Sequence, residues 1–225
     1  MKLNAKTLDD ITAWFDELNP LKLSEILDQA DSKNVAIVSV DMINGFCYEG
    51  ALSSPRVGDL AESVADAFKE AYEKFAVKNL ILIQDSHKAN SVEFDAFPPH
   101  AVAGTKEVDT IEAIRNLSFF DEIKIYYKNS ISSAYCDKFN NFLSKNPQID
   151  TFIVLGDCTD LCVYHLASHL KLSANEANIK RRVIVPANLV QTYDAPWHDG
   201  DFYHLVFLRH MQLAANIEVV KSLEI

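Results

Sequence analysis

No Cys-x-x-Cys pair occurs anywhere in this chain of 225 residues. Zinc ribbons and thioredoxin-like redox motifs are thereby excluded, and Cys47, Cys136, Cys158 and Cys162 read as single thiols. No apolar run approaches the roughly 20 residues of a membrane-spanning helix. The polar, acidic start lacks the charged-then-apolar pattern of a secretory leader. Basic residues are the minority, 21 Lys and Arg against 32 Asp and Glu, for a net charge of -11. A nucleic-acid surface would need them clustered and in excess. Gly-x-Gly-x-x-Gly, the P-loop, Gly-x-Ser-x-Gly and His-Glu-x-x-His are all missing, which removes the usual nucleotide sites, the serine-hydrolase elbow and the zincin helix. The expectation is a protein with free thiols in a reducing cytoplasm, with neither membrane nor nucleic acid as partner.

What is present suffices for a folded α/β domain. Hydrophobic residues make up 48% of the chain, enough for a full core at this length. Thr7 to about Gln29 has helical character interrupted by Pro20 and reads as an N-terminal helical arm over residues 1–33. From residue 34 to 225 a single domain follows. Strands are predicted at Ala36–Val40, Leu80–Ile83, Ile123–Tyr127, Thr151–Leu155, Arg182–Val185 and Ile217–Val220. Helices are predicted at Val57–Phe75, Ala134–Leu143, Val163–Leu170 and Phe202–Ala214. Strands alternating with helices imply parallel pairing and right-handed crossovers. Ser86 to Lys106 is a long loop, and loops of that length within compact domains are usually functional.

In such sheets ligands bind beyond the carboxyl ends of the strands. Four strands in succession end on reactive residues: Asp41, Asp85-Ser86-His87, Lys128, and the turn Gly156-Asp157-Cys158-Thr159-Asp160-Leu161-Cys162-Val163. A cysteine at a strand-to-helix turn meets unpaired N–H groups and the positive end of the helix dipole, which lower a thiol pKa and can bind an oxyanion. The set is chemically coherent. Cys162 would be the nucleophile, and Asp41 would take its proton and return it to a leaving amine. Lys128 would favour the anionic forms of both, and the backbone N–H groups of Cys158 and Cys162 would meet the oxyanion. The competing readings are a small buried hydrophobe for Cys162 and a surface ion pair for Asp41 and Lys128.

Strand-Asp, strand-Lys and strand-Gly-x-x-Thr-Asp-x-Cys-Val, in that order, resemble the isochorismatase-like cysteine hydrolases from about Asn34 onward. The resemblance implies a six-stranded parallel sheet with helices on both faces, a Rossmann-like three-layer sandwich. It also implies a triad that falls on Asp41, Lys128 and Cys162. It further implies a cis peptide at Asp157–Cys158 that turns an N–H into the oxyanion hole, a bond that without proline costs roughly 3–4 kcal/mol.

The long loop adds Asp85, His87, Glu93 and His100, the last in Phe97-Pro98-Pro99-His100. Two imidazoles and two carboxylates suit one divalent transition metal, zinc by default, with iron or manganese suiting the same ligands. Asp95 is an alternative to Glu93. This pattern is similar to the nicotinamidase branch, which favours Glu93 and implies an amidase that turns nicotinamide into nicotinate and ammonia through a thioester. The same resemblance implies that Phe46, Phe97 and Tyr135 wall the substrate pocket. Other branches hydrolyse carbamoyl amines, other small amides or isochorismate without this metal, and a non-catalytic binding or scaffold member is the remaining alternative. His165 and His169 read as packing or surface residues. His198, His204 and His210, with Trp197, mark a segment that closes a pocket or builds a homo-oligomer contact.

Overall fold

The computed structural model describes residues 4–225, so the first three residues of the expected N-terminal arm lie outside it. Six strands form the body of the sheet: β1 (Val35–Val40), β2 (Asn79–Asp85), β3 (Lys124–Lys128), β4 (Thr151–Asp157), β5 (Arg182–Pro186) and β6 (Glu218–Val220). They lie in the order β3-β2-β1-β4-β5-β6, every neighbour parallel. A seventh strand, Val190–Gln191, was not expected from the sequence. It pairs with Gly156 and Asp157 where β5 has diverged from β4. Two residues carry too little periodicity to be read as a strand.

The order reverses direction between β1 and β4, which opens a crevice at their carboxyl ends. Gly156 makes the approach of the two strands possible. Its φ is +103°, and a Cβ there would lie 2.1 Å from the Val40 carbonyl oxygen. Only glycine fits, so β1 and β4 converge where their last residues carry the chemistry.

Alternation of side chains along the buried strands creates two cores. Val35 and Ile37 of β1 face one layer; Ala36, Val38 and Val40 face the other. Five helices of nine residues or more flank the sheet: α1 (Ala5–Asp16), α2 (Ala61–Glu73), α3 (Asp137–Lys145), α4 (Tyr164–Glu176) and α5 (Gly200–Ala215). The first layer is covered by α2, whose Val64, Phe68 and Ala71 repeat at helical spacing. The second is covered by α3, α4 and α5 through Phe139, Leu166, Leu170, Leu208 and Met211.

The helical stretch near the N-terminus is interrupted around Pro20, as its sequence implies. α1 ends at Asp16, ahead of Pro20. Leu21–Lys22 then pairs in parallel with Leu223–Glu224, and a short helix spans Leu23–Leu27. Trp14 Nε1 donates to Gln212 Oε1 at 3.0 Å, which ties α1 to α5. Among the described residues no helix is long and apolar enough to cross a membrane.

Candidate active site

The ends of β1, β2 and β3 bring three charged groups together in the dry interior. Asp85 and Lys128 are register partners at the ends of β2 and β3. Asp41 follows β1 in the left-handed region (φ 55°), sparsely populated by residues other than glycine and a common place for functional strain. Lys128 Nζ lies 2.6 Å from Asp85 Oδ1, 2.8 Å from Asp41 Oδ2 and 3.6 Å from Cys162 Sγ. Asp41 Oδ1 accepts the Asp85 backbone N–H at 2.7 Å, while Oδ2 has no aligned hydrogen-bond donor despite its closeness to Nζ. All four residues are buried.

Burial dominates the electrostatics. Desolvation pushes the Asp41 carboxyl up to about 6, helped by Asp85 and opposed by Lys128. Desolvation also opposes the charge on Lys128, yet Asp41 and Asp85 outweigh it and hold the ammonium well above the usual lysine range. The Cys162 thiol is likewise raised by burial; Lys128 pulls it down, and Asp41 and Asp85 push it up. Lys128 thus favours the anionic form of each group, and burial outweighs it at both.

Cys162 sits in one π-helical turn, Thr159–Val163, between β4 and α4. Such turns concentrate at functional sites. The Leu161 and Val163 N–H groups both donate to the Cys158 carbonyl, at 3.0 and 3.1 Å, which curls the turn. The Asp157–Cys158 peptide is cis. Asp157 itself was not singled out from the sequence. It is buried, its carboxyl is raised by desolvation and by Asp41, and its Oδ2 has no partner among the described residues.

The long loop closes on itself. The His87 N–H donates to Ala101 O and the Ala103 N–H to His87 O, each at 2.8 Å, which carries His100 back beside His87. Ligand atoms of Asp85, His87, Glu93 and His100 lie within 4.8 Å of one another. His87 Nε2 is 3.5 Å from Asp85 Oδ2 and 3.6 Å from Glu93 Oε1; His100 Nε2 is 3.9 Å from Glu93 Oε1. Ligands bound at roughly 2.0–2.2 Å to a transition metal are about 3–4 Å apart, so these separations fit one ion.

Two further observations support the fit. The His87 ring is fully buried, and neither of its nitrogens has a hydrogen-bond partner among the described residues. Each of the other three ligands is oriented by an outer contact. His100 Nδ1 is 2.8 Å from Pro98 O, Glu93 Oε2 accepts the Ile131 N–H at 3.2 Å, and Asp85 Oδ1 holds Lys128. Asp95, the sequence alternative, is exposed and lies outside the group.

A small cavity of about 30 Å³, open to solvent, joins the two clusters. Phe46 and Phe97 both line it, with ring centroids 5.7 and 6.1 Å from that of His100. Tyr135 does not. It is 81% exposed, because the turn Ser133–Tyr135 directs its side chain outward, and Ile131 lines the cavity instead. Leu161 and Asp157 of the nucleophile turn complete the wall with Leu52, which no sequence pattern marked. Phe94, also unmarked, packs its ring against both His87 and His100.

Comparison with known proteins places this site in context. The isochorismatase domain family profile matches residues 35–215. Nicotinamidase 1 of Arabidopsis thaliana is 28% identical over 202 residues, covering 82% of this chain and 81% of that protein. Among solved structures, the N-carbamoylsarcosine amidase of Thermoplasma acidophilum superposes with a TM-score of 0.67 at 24% identity, covering 85% of this chain and 98% of that one. The pyrazinamidase/nicotinamidase of Streptococcus mutans superposes with a TM-score of 0.68 at 21% identity, covering 83% and 99%. At these identities the two structures show a shared fold.

Proposed function

The chain belongs to the isochorismatase domain family, and from that premise we propose that it is a cysteine amidohydrolase whose substrate is nicotinamide. The observation that carries the substrate assignment is the Asp85, His87, Glu93, His100 quartet, three of whose members, Asp85, Glu93 and His100, line the same cavity as Cys162, Phe46 and Phe97. The relative in Arabidopsis thaliana, a nicotinamidase by name, supports the same reading.

The chemistry follows from the residues. A flat pyridine ring enters between the two phenylalanines by offset or edge contacts. Cys162 Sγ attacks the carboxamide carbon while Asp41 Oδ2 takes the thiol proton, the two residues meeting around Lys128 Nζ. The backbone N–H groups of Cys158 and Cys162 receive the oxyanion, where each donor is typically worth roughly 3–4 kcal/mol of barrier. Asp41 returns the proton to the nitrogen, ammonia leaves, and a thioester remains on Cys162. Asp41 then draws a proton from water as it attacks the thioester carbon, the carbon–sulfur bond breaks with that proton passing to Cys162 Sγ, and nicotinate is released. A divalent ion would be held by Asp85, His87, Glu93 and His100 and would supply a Lewis-acidic anchor for the pyridine nitrogen. Zinc suits these ligands, as do iron and manganese. Free thiols at all four cysteines agree with a cytoplasmic setting.

The test is ammonia release from nicotinamide and from benzamide, which lacks the ring nitrogen, with and without a chelator. Nicotinamide is expected to be turned over far faster than benzamide. Chelation is expected to raise KM for nicotinamide while Cys162 remains open to alkylation. Equal hydrolysis of the two amides would overturn the nicotinamide assignment and leave a broader cysteine amidohydrolase.

A further inference from the structure

The turn that carries Cys162 is fastened to a part of the molecule that plays no role in the proposed chemistry. Thr159 Oγ1 is 2.9 Å from His204 Nδ1 on α5, and Asp160 Oδ2 is 2.8 Å from His198 Nε2 in the loop before α5. His198 is held on every side. Its Nδ1 lies 3.0 Å from the Tyr193 carbonyl, which can only accept, so Nδ1 bears a hydrogen, and the Nε2–Asp160 contact is bridged by a second hydrogen carried on Nε2 or on Oδ2. One ring face stacks on Tyr193 with centroids 4.0 Å apart at 9°, the other on Tyr203 at 4.0 Å and 7°.

The residue is 4% exposed, and the backbones of Ala195 and His198 exchange two hydrogen bonds of 2.9 Å. Arg56 anchors the same loop through the Thr192 carbonyl and the Asp194 carboxylate. Asp160 has no such redundancy. Its other oxygen, Oδ1, is buried without a hydrogen-bond partner among the described residues, so the carboxyl depends on His198.

We propose that His198 is a positioning residue that acts through Asp160 to hold Cys162 Sγ against Lys128 and Asp41. The role in turnover rests on the amidase reading; the role in placing the thiol does not. Asp160 lies two residues before Cys162 inside the same five-residue turn, so a change in its side-chain anchor moves the nucleophile directly. A displacement of about 1 Å at a reacting atom can cost roughly 100-fold in rate. A buried carboxyl deprived of its partner has every reason to move.

The test uses the full chain and three variants. His198→Phe keeps an aromatic ring between the two tyrosines and removes both hydrogen bonds. Asp160→Asn approaches the pair from its other end and leaves the stack intact. His198→Gln restores a hydrogen-bonding group toward Asp160, since its amide can donate or accept. The first two are expected to lower kcat for nicotinamide by roughly 10- to 100-fold with KM little changed, and to slow alkylation of Cys162 by iodoacetamide, followed by peptide mapping. His198→Gln should recover part of both losses, and the double variant should be no worse than the poorer single one. A His198→Phe protein with a lowered Tm but with kcat and Cys162 alkylation unchanged would overturn the proposal, as would losses that simply add in the double variant. Should the wild-type chain leave nicotinamide untouched, the substrate assignment fails by itself, and the alkylation rates still decide the role of His198.

Discussion

Cys162→Ala is expected to eliminate turnover, by a factor on the order of 10⁴–10⁶, whereas Cys158→Ala retains a measurable fraction. The two sulfurs lie in one turn and differ in what surrounds them. Cys162 Sγ is 3.6 Å from Lys128 Nζ, and it groups with Asp41 and Asp85 within 4.8 Å. Cys158 Sγ points instead toward its neighbour Asp157, donating to Oδ1 at 3.6 Å. Its thiol is raised well above the usual range by burial, and next by Asp157 and Asp160, with no cation to offset them. In the proposed reaction only the backbone of Cys158 serves, and alanine preserves a backbone N–H. Steady-state kinetics on both variants, with mass spectrometry of the trapped thioester, decide the matter. An inactive Cys158→Ala beside an active Cys162→Ala would reverse the reading of this turn.

Asp41→Asn should lower kcat by roughly 10²–10⁴-fold, the usual contribution of a positioned general acid–base group. The pH dependence follows from the environment. Asp41 is pushed up to about 6, so wild-type activity should fall as pH drops through that value and the carboxylate needed to accept the Cys162 proton is lost. The stability effect has the opposite sense. A carboxyl whose folded pKa is raised from 3.8 to about 6 contributes stability that is fully present below 3.8 and lost as pH rises through about 6. Asparagine removes that dependence. The variant should therefore show no drop in Tm at neutral pH even though it is nearly inactive, while Lys128 keeps Asp85 as its ion partner at 2.6 Å. Tm measured across pH 4–8 alongside kcat gives both readouts. Near-normal turnover by Asp41→Asn would remove it from the mechanism.

Much of this arrangement was legible along the chain. The apolar strands and the residues that end them could be located because side-chain alternation and local composition are properties of short segments. The nucleophile turn stood out for its Gly, two Cys and two Asp between an apolar run and a helical one. Boundaries shifted modestly, as at β3, which begins at Lys124 and includes Lys128. Tyr135 failed as a pocket residue because spacing from Lys128 says how far along the chain a ring lies, not which way the turn between them faces. Asp95 and Glu93 were equivalent by composition, and a single 3-10 turn, Val92–Asp95, sends one inward and the other to solvent.

The sequence by itself determined an α/β chain with its reactive side chains at the strand ends, since both follow from periodicity within each element. The tertiary structure alone decided the strand order β3-β2-β1-β4-β5-β6, the closure of the long loop that sets His100 beside His87, and the link from Asp160 to His198 across 38 residues. It also decided the electrostatics of Cys162 and Asp41, where burial raises both groups against the pull of Lys128. Ionisation depends on how much water is removed and which charges converge, and both are set by residues that meet in space from distant parts of the chain.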